Sequence, residues 1–198
     1  MPAVRLAVSA ALLVALSSLP AAAEPRRYTL DPDHLVVAFK SRHLGISDVL
    51  GRFLKASGSF VYDEEARSVE DIRVEIRTAS LFTNHQARDE HVRSKDFLDA
   101  GAHPVITFVG TGAEPTGERT GQVHGELTVR GVTRPVVLDV TLLGAGRYPF
   151  GDEHYAVGVS ATTVLNRSDF GMTYALEDGM VGDEVPVILE FEAIRQDR

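Results

Sequence analysis

The stretch Ile72-Arg73-Val74-Glu75-Ile76-Arg77-Thr78 alternates apolar and charged residues almost without a break, and it constrains the fold more than any other feature of the chain. Successive side chains of an extended strand point to opposite faces. Ile72, Val74, Ile76 and Thr78 therefore share one face, and Arg73, Glu75 and Arg77 the other. Related patterns recur over 35–42, 50–62, 104–111, 122–130, 135–143, 155–165 and 184–194, broken by Gly, Pro, Asp and Asn. Eight half-buried segments at hairpin-like spacing predict an all-β fold with antiparallel neighbours. They pair as two sheets or close as a barrel, and closure removes both exposed edges. An eight-stranded barrel is either filled by its own side chains or hollow enough for one small ligand. Strand number alone leaves those alternatives open.

The connections are short apart from Ser80 to His103, whose composition predicts a helix of two or three turns around Gln86 to Ser94, within a helical segment spanning about 85–99. On such a helix Arg88, His91 and Val92 share a face at i, i+3 and i+4, as do Asp89, Val92 and Arg93. That face either turns an Arg and a His towards a cavity mouth or is a solvated surface with weak local ion pairs. Gly131 separates two β-rich runs, as a tight hairpin turn requires. The run Asn166-Arg167-Ser168-Asp169-Phe170-Gly171 predicts an Asx-type turn that ends a strand and inserts Phe170 beside a flexible glycine.

Residues 1–23 are expected to be a cleaved export signal. Arg5 and the amino terminus give a positive start, Leu6 to Leu19 is apolar, and Ala21-Ala22-Ala23 supplies a small-residue cleavage site. The apolar run falls short of the roughly 20 residues a spanning helix needs. Residues 24–198 then form one domain, with a bacterial periplasm as the expected compartment and no stable membrane insertion after cleavage. A net charge of −8 argues against nucleic acid as a partner, since that affinity comes from clustered Lys and Arg. The chain has no Cys, which removes disulfides, thiolate nucleophiles and thiolate metal sites. None of the seven His stands at a diagnostic metal-ligand spacing; His85 and His91 are expected on opposite sides of the helix. There is no Gly-x-Ser-x-Gly elbow, dinucleotide fingerprint or P-loop. The expectation is therefore no catalytic residue, no metal and no organic cofactor.

Several stretches, taken together and in order, resemble the YceI family of exported lipid-binding proteins. They run from Tyr28-Thr29-Leu30-Asp31 and His34 through His43-Leu44-Gly45, Gly51-Arg52-Phe53, and Arg88-Asp89-Glu90-His91-Val92-Arg93-Ser94-Lys95-Asp96-Phe97. They continue with His103-Pro104-Val105-Ile106-Thr107-Phe108, the segment 125–133, Arg167-Ser168-Asp169-Phe170-Gly171 and Val181-Gly182-Asp183-Glu184-Val185. The resemblance implies a lipocalin-like, eight-stranded antiparallel β-barrel that holds a long apolar molecule: a polyprenyl phosphate, a quinone-like lipid or a fatty amide. Such an amphiphilic lipid would be ligand and cargo rather than cofactor. Burying the roughly 40 carbons of an eight-isoprene chain carries a gross transfer term of about 30 kcal/mol, much of it offset by ordering costs.

On that reading Phe39, Phe53, Ile72, Val74, Ile76, Phe97, Phe108, Leu127, Val129 and Phe170 are the expected apolar lining, with ordinary core packing as the alternative for each. His43, Arg88, His91 and Arg167 are the candidates for the ligand's polar head, and Asp89 and Asp169 are expected to hold the arginines. Two other functions stand beside the carrier: a barrel hydrolase or isomerase using His43 or His91 as general base, and a filled barrel acting as a stress-response interaction module. Whether two barrels pair as a homodimer is not legible in the sequence.

Overall fold

The computed structural model describes residues 24–196, so the export signal expected over residues 1–23 lies outside the described residues. The strands are β1 (Arg26–His43), β2 (Ser47–Phe53), β3 (Ala56–Asp63), β4 (Ser68–Arg77), β5 (Leu81–Phe82), β6 (Val105–Pro115), β7 (Thr120–Val129), β8 (Val132–Arg147), β9 (Tyr155–Asn166) and β10 (Glu184–Gln196), with one α-helix among the described residues, α1 (Gln86–Arg93). Neighbours run β1–β3–β4–β6–β7–β8–β9–β10, and β10 pairs back onto β1. These eight strands form a closed antiparallel barrel, the closed one of the two arrangements that the alternation allows, while β2 and β5 extend the sheet beyond it.

The first strand does double duty. Arg26 to Thr29 pairs with β3, Val37 to His43 pairs with β2, and the opposite edge pairs with β10 on either side of a register break between Leu30 and Leu35. That break hid the strand's start: the expected segment opened at Leu35, whereas pairing begins near Arg26. The single strand expected over Leu50 to Tyr62 is likewise two. The chain changes partner at Leu54 and Lys55, where the backbone N–H of Leu54 donates to Ser80 and the Lys55 carbonyl accepts from Arg77 N.

Two turns carry the ends of the wall. Arg130 and Gly131, with φ of 52° and 74°, join Val129 to Val132 as a two-residue turn of the I′ kind that the twist of a hairpin favours. The expected Asx turn at Asn166 is corrected, because Asn166 makes no capping bond. Residues 167–170 form a 3₁₀ turn instead, closed by Gly171 at φ 74°. The Asp183 carboxylate accepts from Ser168 N and Ser168 Oγ at 2.9 and 2.8 Å.

Close ring-on-backbone packing requires glycine at two wall positions. A Cβ on Gly51 would stand 2.3 Å from Phe39 Cζ, and one on Gly125 would stand 2.3 Å from Phe108 Cζ and 2.7 Å from the Val109 carbonyl oxygen. Because one obstacle at Gly125 is backbone, Gly125→Ala is expected to destabilise by about 1–3 kcal/mol. A thermal midpoint lower by roughly 2–4 °C per kcal/mol checks this, and an unchanged midpoint contradicts the packing.

At the barrel end formed by the β3–β4 turn, the hydroxyls of Tyr28 and Tyr155 both donate to Glu64, each at 2.8 Å. Burial first, then these bonds to a carboxylate, raise both phenols above their ordinary value. The unfolded phenols ionise near pH ~10, so the contribution is fully present below that pH and is lost as pH rises above it towards the folded values. Urea midpoints are expected to fall above pH ~10, and less steeply in Tyr28→Phe.

Candidate ligand cavity

The barrel is hollow. Two cavities, of about 700 and about 240 Å³, lie along its interior. They share Val37, Ile76, Leu127, Leu165 and Val187 as lining, so they meet at one apolar belt. The larger volume falls in the range of small-molecule sites. A filled barrel, the third sequence-based alternative, does not describe this interior.

Each of the ten apolar residues singled out in the sequence faces this space. Ile72, Val74 and Phe108 line the smaller cavity, Phe39, Phe53, Phe97, Val129 and Phe170 the larger, and Ile76 and Leu127 both. For the eight on strands, period-two alternation settles the face and closure turns the apolar face inward. Phe97, in the turn after α1, and Phe170, in the 3₁₀ turn, reach the cavity from outside any strand. The last strand was overlooked: Val187, Leu189 and Phe191 alternate in the same way and also line the wall. Their signal was present, since the segment 184–194 was read as a strand.

The larger cavity opens between α1, the end of β1 and the segment joining β9 to β10. His85 caps α1, its Nδ1 accepting from Arg88 N at 3.3 Å. One turn on, buried Asp89 accepts from Thr83 N at 2.7 Å and from Thr83 Oγ1 at 2.6 Å. Thr83 in turn fixes Arg88: Nε donates to Thr83 Oγ1 at 2.8 Å and Nη2 to its carbonyl at 2.7 Å. Asp89 thus holds Arg88 through Thr83, which the sequence reading missed. Arg88 lines the larger cavity, and its Nη1 makes no hydrogen bond among the described residues. The fork is oriented while part of it stays available.

His91 lines the same cavity, its Nε2 lying 2.8 Å from Asp96 Oδ2 and its ring packed edge-on against Phe97 and Tyr174 at 5.2 and 5.0 Å. His43 stands at the exposed end of β1, where it bridges to Val181. Arg88, His91 and Val92 share one face, as the spacing predicts, and that face is turned towards the cavity, the first of the two alternatives. Met172, Tyr174 and Met180 complete the mouth. They lie in a segment with no periodic pattern, which gave no signal.

Arg167 and Asp169 depart from expectation. Arg167 borders the cavity but is only 4% exposed, and Nε, Nη1 and Nη2 donate to the carbonyls of Gly182, Met172 and Val181 at 2.8, 2.5 and 2.8 Å. Its guanidinium braces the 3₁₀ turn against the following segment instead of offering its fork to a ligand. Burial lowers its pKa, and the carboxylate opposing that shift is Asp183, not the exposed Asp169. A short acidic neighbour in sequence was a poor guide, because the bend turns Asp169 outward.

Comparison with known proteins agrees with this architecture. Residues 28–193 match the model of the YceI-like domain. A UPF0312 protein of Pseudomonas savastanoi pv. phaseolicola is 39% identical over 193 residues, covering 96% of this chain and 95% of that protein. Another, from Pseudomonas syringae pv. tomato, is 43% identical over 169 residues, 84% of each. Among solved structures, the Campylobacter jejuni YceI protein superposes with a TM-score of 0.70 at 30% identity, over 79% of this chain and 90% of that one. A polyisoprenoid binding domain from Saccharophagus degradans, implicated in plant cell wall breakdown, shares the fold at 15% identity and a TM-score of 0.61, over 85% of this chain and 98% of that one. With the family's pattern spanning nearly the whole described barrel and a relative 39% identical over 96% of the chain, the chain belongs to the YceI-like domain family.

Proposed function

We propose that this protein is a periplasmic carrier that sequesters a long-chain, isoprenoid-type lipid in the barrel interior, without catalysis. The observation that carries the proposal is the apolar interior of two cavities meeting at one belt, with an oriented Arg88 where the larger opens. The apolar walls would take the chain, and the mouth groups Arg88, His91 and His43 the head. The polyisoprenoid-binding domain that shares this fold supports the choice of ligand class. A chain with tens of apolar carbons has negligible solubility in an aqueous compartment, so a hollow soluble barrel offers it a route across. Native mass spectrometry with organic extraction, on protein exported and purified without detergent, tests this directly. A co-purifying prenyl or quinone-like lipid is the expected result; an empty barrel that also takes up no polyprenyl phosphate or quinone contradicts it.

Arg88 gives a sharper expectation. A planar fork donates two parallel hydrogen bonds to a phosphate, whereas a quinone or amide oxygen needs one donor. Arg88→Ala is expected to weaken binding of a polyprenyl phosphate about tenfold or more and of a neutral quinone far less. Equal losses for both would remove Arg88 from the head-group role. The catalytic alternative has one feature in its favour, the His91–Asp96 pair beside the cavity. Steady turnover of an ester or phosphoester lipid that disappears in His91→Ala would establish it; the carrier reading expects none.

A further inference from the structure

A second cluster of chemistry lies on the outer face of the barrel, away from the lipid cavity. Leu30, Leu35 and Phe191 line the interior, and on the opposite side of the same two strands Asp31, His34 and Glu192 come together. Their ligand-type atoms all lie within 4.8 Å of one another. We propose that Asp31 Oδ2, His34 Nδ1 and Glu192 Oε2 form a binding site for a divalent transition metal of the zinc type, which staples β1 to β10.

The spacing suits such an ion. His34 Nδ1 is 2.7 Å from Asp31 Oδ2 and 3.9 Å from Glu192 Oε2. Ligand atoms around tetrahedral zinc stand about 3.3 Å apart, given bonds of about 2.0–2.2 Å. The observed separations straddle that value, so small side-chain rotations suffice. One imidazole with two carboxylates is a zinc-type donor set, and a chain without Cys offers no competing thiolate site.

The surroundings orient the ligands. Asp31 Oδ1 accepts from Asp33 N at 3.0 Å, which fixes the carboxylate and leaves Oδ2 towards His34. Tyr148 O–H donates to Glu192 Oε2 at 2.5 Å, an outer hydrogen bond of the kind that positions metal-bound carboxylates. Stacked on Tyr148 at 4.3 Å is His154, and its Nδ1 lies 2.6 Å from Asp152 Oδ1. Its Nε2 is buried with no hydrogen-bond partner among the described residues.

The location gives the ion a task. The β1–β10 pairing closes the barrel, and its ladder breaks between Leu30 and Leu35. Asp31 and His34 sit in that break and Glu192 on the strand across it, so the ion would bridge the seam where backbone hydrogen bonds lapse. No disulfide can do this in a Cys-free chain.

The test uses untagged, chelator-stripped protein titrated with Zn²⁺ by calorimetry. One saturable equivalent is expected, with a higher thermal midpoint when it is bound. His34→Gln and Glu192→Gln should each weaken uptake about tenfold or more. His124→Gln, at a separate surface pair where His124 Nε2 lies 3.2 Å from Glu114, should leave it unchanged. Zinc K-edge absorption on the wild-type protein covers the case in which a variant misfolds: a nitrogen and oxygen shell with at least one imidazole is expected. Absence of saturable uptake, an equal loss in His124→Gln, or a shell without imidazole overturns the site.

Discussion

Replacing Ile76 with Asp is expected to abolish lipid retention. Ile76 is 8% exposed and lies on the belt where the two cavities meet, facing both. A carboxyl there has no partner in an apolar wall and costs about 2–7 kcal/mol even when neutral. It would also hydrate the belt where the two cavities meet. Each methylene kept out of the wall forfeits about 0.8 kcal/mol, so a chain stopped at the belt loses most of its binding. Native mass spectrometry of the exported variant, with circular dichroism to establish its fold, is the measurement. A folded Ile76→Asp protein that retains its lipid would falsify the cavity assignment. Leu127→Trp, which narrows the same belt without adding charge, answers the same question if the Asp variant fails to fold.

Arg167→Ala is expected to be the most destabilising single change in the mouth. It removes a buried cation whose three nitrogens serve three backbone carbonyls. Hydrogen bonds to charged groups contribute about 1.5–3 kcal/mol each, and buried acceptors left unmade add a desolvation cost. A loss of at least about 3 kcal/mol is therefore expected from urea denaturation. Asp169→Ala, at an exposed position, should stay within about 0.5 kcal/mol. If Arg167→Ala costs less than about 1 kcal/mol, the two Ser168–Asp183 bonds hold the turn unaided. Since Phe170 packs in the same turn and lines the cavity, lipid binding should weaken along with stability in Arg167→Ala.

The contrast between these two residues shows how far sequence reaches. Ile76 was assigned to the dry face from spacing alone, because alternation in a strand is a local property of the backbone. Arg167 looked like a ligand for a lipid head because a lone Arg beside an acidic residue in a turn carries no information about which carbonyls will surround it. Those carbonyls belong to Met172, Val181 and Gly182 and reach it only when the segment after the turn folds back. Arg88 is the intermediate case. Helical spacing placed it on the face with His91, but its orientation depends on Thr83, five residues before it and outside the helix, and on Asp89, which holds Thr83.

What the sequence determined by itself is the antiparallel β character of the chain, the inward face of most of its strands, the helix over α1 and the tight turn at Gly131. All of these rest on periodicities of two or 3.6 residues and on backbone freedom at a single position, which are short-range physics. Three things were decided only by tertiary structure. One is the closure of β10 onto β1, which pairs segments at opposite ends of the chain. Another is the division of residues 47–63 into two strands, because β2 pairs with Val37–His43 of β1 and β3 with Arg26–Thr29, stretches that only the folded chain brings alongside them. The last is that the interior is hollow. Side-chain volumes are known from sequence, but the space they must fill is set by how the closed wall is tilted and staggered, and only the folded barrel fixes that.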